Sequence, residues 1–107
     1  MKPDRKRRLE KAGWKFGSAQ DFLGLTDAEA AIVDMRVSLA RELRRHRLAH
    51  RASQVALAKV VGSSQSRVAR MEAGHSSVSL DLLVRALLSS GSTPAAIGRA
   101  IAKKRRP

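Results

Sequence analysis

Two short segments with helical spacing, separated by a tight turn, constrain the fold of this chain most. One segment follows Ser53 and ends at Gly62, and the other follows Ser64 and ends at Gly74. Serine is a preferred N-cap, and glycine is favoured just beyond a helix because it adopts the left-handed conformation without strain. The small residue Ala58 lets the two segments approach closely. This pattern predicts two short helices that cross tightly.

Three further helices are predicted around this pair. Thr26 with Glu29 forms a capping box that opens a long first helix, which continues to about His50. Ser79 opens a fourth helix that ends near Gly91, and Thr93 with Pro94 at the first helical position opens a fifth. No strand pattern competes, so we predict an all-α domain of five helices with an N-terminal helical extension. The residues expected to face inward are Ile32, Met35, Leu39, Leu43, Val55, Leu57, Ala58, Val61, Val68, Met71, Leu80, Leu83, Leu87 and Leu88.

Charge gives the first indication of a partner. The chain carries 22 basic and 9 acidic residues, a formal net charge of +13. Residues 43–71 contain basic side chains but no Asp or Glu. A solvated face would normally mix both signs, whereas a surface of one sign predicts a polyanionic partner such as nucleic acid. Arginine outnumbers lysine, which favours two-point binding of phosphates and guanine edges.

Composition and spacing argue against catalysis. The chain has no cysteine, which excludes a thiolate metal site and a cysteine nucleophile. His46 and His50 have the spacing of a zinc-binding helix, but Arg47 stands where the glutamate base would be required. We therefore expect no enzyme activity, no metal and no cofactor. No apolar run approaches a membrane span, so a cytoplasmic location is expected, although residues 97–104 faintly resemble a membrane-surface helix.

Several motifs resemble the Xre/Cro family of helix-turn-helix repressors. They are Ser53-Gln54, Leu57-Ala58, the run from Gly62 to Val68, Met71-Glu72-Ala73-Gly74 and Ser79-Leu80-Asp81-Leu82-Leu83. The resemblance implies a lambda-repressor-like fold with the helix-turn-helix at residues 53–74. It also implies that the third helix enters the major groove of double-stranded DNA, and that a homodimer binds a palindromic operator.

The resemblance also implies roles for individual residues. Base contacts are expected from the start of the third helix, first from Gln65, and also from Ser64, Ser66 and Arg70. Contacts to DNA phosphates are expected from Gln54, Ser53, Arg67, Arg44 and Lys59. Arg47 and Glu72 match a buried ion pair that would orient the third helix. The sequence departs from the family pattern at Arg51, where glycine is usual, and at Ala52 and Ala56, so a different shape of the turn before the second helix is an open possibility.

The wider chain resembles the HigA-like antitoxins of toxin–antitoxin modules. The matching segments are residues 9–14 and 17–25, which precede the repressor-like domain. This resemblance implies autorepression of an operon and a RelE/HigB-type toxin as partner. Residues of a possible toxin contact are Trp14, Phe16, Phe22 and Leu23, although such a cluster can equally cover the domain's own core. The alternatives are a regulator of the same family without a toxin, and a basic protein-interaction module.

The resulting domain organisation has four parts. Residues 1–8 form a basic arm, which either lies in a minor groove or is a mobile tail. Residues 9–26 form an extension that packs on the domain, and residues 27–103 form the helix-turn-helix domain. Residues 104–107 form a basic tail.

Overall fold

Five α-helices and no strands are present in residues 24–103, the part of the chain that the structure, a computed structural model, describes. They are α1 (Asp27–Ala49), α2 (Gln54–Val61), α3 (Gln65–Glu72), α4 (Leu80–Ser89) and α5 (Pro94–Ala102). The prediction of an all-α fold with five main helices is confirmed. The chain divides into two units, and the boundary between them lies between Ala31 and Ile32, inside α1. The predicted arm, most of the extension and the tail lie outside the described residues.

The helices begin where side-chain oxygens can accept otherwise unpaired backbone N–H groups. The hydroxyls of Ser53, Ser64, Ser79 and Thr93 each accept the N–H three residues later. At the start of α1, Glu29 N–H donates to Thr26 Oγ1 and Thr26 N–H donates to Glu29 Oε1, both at 3.1 Å. This is the reciprocal bonding of a capping box. The predicted helix starts are therefore confirmed.

Left-handed glycines end α2 and α3. Gly62 has φ 68°, and the N–H of Ser63 donates to Ala58 O at 2.8 Å, which closes the last turn of α2. Gly74 has φ 66°, and the N–H of His75 closes α3 in the same way on Arg70 O. Only three residues separate α2 from α3, because the chain reverses within a single left-handed position.

One core joins α1 to the helices that follow it. Fully buried large side chains come from three of the five helices, α1, α3 and α4: Leu39, Leu43, Val68, Met71, Leu83 and Leu87. Leu57 and Ala58 of α2 and Ile97 of α5 belong to the same cluster. Through this core, the short helices α2 and α3 pack against the C-terminal half of α1.

The prediction of a buried position is wrong for three residues, Ile32, Val55 and Leu88, which are exposed. Ile32 is 42% exposed although it shares a stripe of α1 with Leu39 and Leu43. At 23 residues, α1 is more than twice as long as any helix packed on it, so its apolar stripe extends past them. Val55 is 52% exposed because it lies about 120° around α2 from Val61. Leu88 is exposed beside its buried neighbour Leu87.

Candidate nucleic-acid interface

The exposed face of α3 is polar and is opposite its buried face. Val68 and Met71 are buried, while four residues predicted to contact DNA are exposed: Gln65, Ser66, Arg67 and Arg70. With 100° between successive residues, Ser66 and Arg70 lie near the centre of this face, and Gln65 and Arg67 lie at its two edges. An arginine, a serine and a glutamine amide are groups that pair with base edges and phosphates.

The hydroxyls of the serines that cap α2 and α3 accept hydrogen bonds from the backbone. Ser64 Oγ accepts the N–H of Arg67 at 3.2 Å and lies 3.3 Å from Ser66 Oγ. Ser53 Oγ accepts the N–H of Ala56 at 3.0 Å. Each hydroxyl still has a proton to donate, and phosphate oxygens accept such protons. Both serines are therefore compatible with contacts to DNA while they cap their helices.

Arg47 of α1 and Glu72 of α3 form a nearly buried, two-point ion pair. Arg47 Nε lies 2.6 Å from Glu72 Oε2, and Nη2 lies 2.8 Å from Oε1. The two side chains are only 11% and 4% exposed. Arg47 Nη1 also donates to Ala52 O at 2.9 Å. One guanidinium thus ties the last turn of α3 both to α1 and to the turn that precedes α2.

The ionised form of Glu72 is favoured despite its burial. Desolvation by burial raises the pKa of Glu72, but hydrogen bonds from Arg47 and Gln54 and the positive charges of Arg47 and Arg44 outweigh it, so the pKa lies below its usual value. The hydrogen bond to Glu72 raises the pKa of Arg47 further above its already high value. The pair therefore remains charged across the neutral range.

A chain of side-chain hydrogen bonds continues from this ion pair to the start of α3. Gln54 Nε2 donates to Glu72 Oε1 at 3.2 Å, and Gln65 Nε2 donates to Gln54 Oε1 at 2.7 Å. A carboxylate only accepts hydrogen bonds, so Gln54 must turn its amide nitrogen toward Glu72 and its oxygen toward Gln65. The orientation of the Gln65 amide is therefore set by a buried charge on the same helix.

The comparison with protein families agrees with this geometry. The family model described as a helix-turn-helix domain matches residues 38–100, which is more than half of the chain. The chain belongs to the helix-turn-helix domain family. No curated protein and no solved structure matched the chain. The protein is thus a helix-turn-helix DNA-binding regulator, and this family supports a binding function rather than catalysis.

The matched region of this helix-turn-helix domain contains every described residue that the sequence assigned to DNA. Arg44 of α1 and Lys59 of α2 are exposed, as phosphate contacts require. Arg67 lines a cleft of about 350 Å³ between α2, α3 and α4, together with Arg85 and Met71. Arg67 thus lies at the edge of the α3 face that borders α4, away from the edge occupied by Gln65.

Sequence reasoning missed two features of the helix-turn-helix domain. It assigned Gln54 to a phosphate but did not find its bonds to Glu72 and Gln65, because residues that are 11 and 18 positions away meet only after the helices cross. It also did not predict the contact of His46 Nε2 with Ser90 O at 2.8 Å, which joins α1 to the end of α4. For the turn between α1 and α2, the sequence carried one signal, which was arginine at residue 51 in place of the usual glycine.

The possible toxin-contact residues Trp14, Phe16, Phe22 and Leu23 lie outside the described residues. Within residues 24–103, no helix has both the length and the apolar character needed to cross a membrane.

Proposed function

We propose that this helix-turn-helix protein is a sequence-specific transcriptional repressor of the Xre/Cro type, with α3 as its recognition helix. The observation that carries the proposal is the bonded chain from Arg47 through Glu72 and Gln54 to Gln65. Direct readout needs a side chain whose donor and acceptor positions are fixed before the DNA arrives. The chain of bonds supplies this fixed orientation at the first residue of α3.

The free atoms of Gln65 indicate which base it would contact. One amide hydrogen of Gln65 is held by Gln54, which leaves the other hydrogen and Oε1 for DNA. A side-chain amide presenting one donor and one acceptor matches the N7 and N6 positions of adenine in the major groove. We therefore assign Gln65 to an A·T pair, with Ser64, Ser66 and Arg70 contacting its neighbours.

Binding-site selection from a randomised duplex tests sequence specificity directly. Enrichment of one motif is expected, and Gln65→Ala should relax the preference at a single position at a cost of about 1–3 kcal/mol. Lys59→Ala is the matched control, since loss of a phosphate contact weakens binding to all sequences alike. Equal loss on the selected and random duplexes for Gln65→Ala would remove the readout role and favour the basic protein-interaction module.

A homodimer on a palindromic operator is the second part of the proposal. At eight residues α3 is about 12 Å long, so one copy spans only a few base pairs. Two copies would double the site and place two recognition helices about 34 Å apart on one face of the duplex. Light scattering of the complex with the selected duplex should give two chains per duplex. The motif found by the selection should consist of two inverted halves.

The finer form of the proposal is an antitoxin that represses its own operon. It rests on the resemblance of residues 9–14 and 17–25 to HigA-like antitoxins, with Trp14, Phe16, Phe22 and Leu23 as the contacts to a RelE/HigB-type toxin. The adjacent reading frame should encode a toxic ribonuclease, and co-expression of this protein should restore the growth of cells that produce it. The double variant Trp14→Ala, Phe22→Ala should abolish this rescue while DNA binding persists. Absence of toxicity from both neighbouring frames would leave a regulator without a toxin.

A further inference from the structure

Arg51 has an unusual backbone for its residue type. Its φ is 53°, and among the described residues it alone has a positive φ without being glycine. This left-handed conformation crowds the Cβ of any L-residue, so glycine is the residue that adopts it freely. A substitution to glycine would remove the crowding, which raises the question of what the arginine side chain contributes.

The turn between α1 and α2 is closed by hydrogen bonds from groups other than the Arg51 side chain. The turn is closed by backbone bonds from Arg51 N to Leu48 O at 3.0 Å and from Ala52 N to Arg47 O at 3.1 Å. The Arg47 guanidinium closes it further through Ala52 O. The guanidinium of Arg51 is exposed, and it forms no hydrogen bond or ion pair within residues 24–103. Its charge is therefore available for a partner outside the chain.

The position of Arg51 in the chain brings its charge near the border of the proposed readout face, which is the exposed face of α3 formed by Gln65, Ser66, Arg67 and Arg70. Arg51 precedes Gln54 by three residues, so their Cα atoms are at most about 11 Å apart. Gln54 in turn bonds directly to Gln65 at the edge of the exposed face of α3. Arg44 and Lys59, which precede and follow Arg51 in the chain, are also exposed cations, and residues 43–71 themselves contain no carboxylate. A polyanion held against α3 would therefore pass within reach of Arg51.

We propose that Arg51 binds a phosphate of the DNA backbone next to the base pair read by Gln65, and that this contact is the reason why arginine rather than glycine occupies the left-handed position. The inference rests on the proposed function. It predicts opposite effects on folding and on binding: glycine at this position should relieve the backbone strain and remove the phosphate contact.

Variants of Arg51 separate these two effects. Arg51→Gly should raise the Tm by about 4 °C and weaken binding about tenfold at 0.1 M salt for each copy bound, on selected and random duplexes alike. The slope of log K against log salt should become shallower by about 0.9 for each copy bound. Arg51→Asn removes the charge with a residue that tolerates the left-handed region, and it should show the same loss of slope. Arg51→Lys should keep most of the slope.

Arg99→Gln on α5 is the matched control, because it removes one exposed positive charge outside the readout face. It should leave the salt slope within error of the wild-type value. An unchanged slope for Arg51→Gly and Arg51→Asn, with the wild type still selecting a motif, would overturn the phosphate contact alone. Failure of the wild type to bind any duplex would overturn the proposed function and this inference together.

Discussion

Arg47 and Glu72 are held more tightly than surface charges are, and the energetic consequence follows from their burial. Removal of one partner leaves the other charge desolvated and unpaired, which costs about 3–5 kcal/mol for a buried pair. Arg47 also carries the bond to Ala52 O, so its loss loosens the turn before α2. The pair thus couples the stability of the domain to the placement of α3.

Arg47→Met should lower the free energy of unfolding by about 3 kcal/mol or more, because Glu72 is left charged at 4% exposure. Urea unfolding at neutral pH measures the change. Arg45→Met is the matched control: Arg45 pairs with Glu42 at 2.6 Å but is 65% exposed, so its loss should cost under about 1 kcal/mol. The double variant Arg47→Met with Glu72→Met should recover much of the loss, and no recovery would contradict the buried-charge explanation.

The lowered pKa of Glu72 makes stability depend on acid. In the unfolded chain a glutamate has a pKa of about 4.3, above its folded value, so the unfolded state binds more protons between the two. The stabilisation is present above this unfolded value and is lost as the pH falls through the folded pKa. Glu72→Gln should therefore flatten the fall in unfolding free energy below about pH 4.3.

Urea unfolding curves collected from pH 7 to pH 3 test this dependence. Glu42, whose pKa is lowered by the hydrogen bond from Arg45, contributes with the same sign, so Glu42→Gln serves as the comparison. An acid dependence of Glu72→Gln identical to that of the wild type would contradict the proposed linkage.

At the scale of elements, the presentation of α3 depends on the left-handed turn that precedes it. Gly62 carries this turn, and a Cβ added there would meet no atom within 4 Å. Its φ of 68°, rather than space, is what requires glycine. Helix α5 offers an internal comparison in Gly98, where a Cβ also meets nothing within 4 Å but the backbone is helical.

Gly62→Ala should lower the free energy of unfolding by about 1 kcal/mol, since alanine is crowded in the left-handed region. Gly98→Ala should raise it by about 0.5–1 kcal/mol, because alanine is the better helix former. Thermal unfolding of the two variants should therefore shift in opposite directions. Shifts of equal sign would show that the turn relaxes to accept alanine.

At the scale of the whole molecule, the net charge of +13 acts oppositely on folding and on binding. Repulsion among like charges destabilises the free protein, and added salt screens it. Salt also competes with the release of counterions from DNA, so it weakens the complex. Added salt should thus stabilise the folded free protein and weaken its complex with DNA.

Raising the salt from about 50 to about 200 mM should increase the Tm of the free protein and lower its affinity for duplex about 10³-fold, if about six phosphates are contacted. Thermal unfolding and fluorescence anisotropy with a labelled duplex measure the two effects. An affinity that is insensitive to salt would contradict phosphate contacts by Arg44, Lys59 and Arg67 as a group.

The sequence by itself determined the five described helices and their limits, because each start and stop depends on a residue and its immediate neighbours. Ser53, Ser64 and Thr93 cap where they were expected to, and Gly62 takes the left-handed turn that its type favours. Spacing also separated most of the core from the surface. It failed at Ile32, where exposure depends on how far the other helices extend along α1.

Only the tertiary structure decided how the readout face is held. The bonds of Gln54 to Glu72 and Gln65 join residues from two helices whose crossing brings their ends together, and no local pattern specifies an amide orientation. The left-handed backbone of Arg51 is likewise imposed by bonds at both ends of its turn, against the preference of its residue type. Local preference determines where helices lie in a sequence, whereas contacts between helices determine which side chains are free to bind DNA.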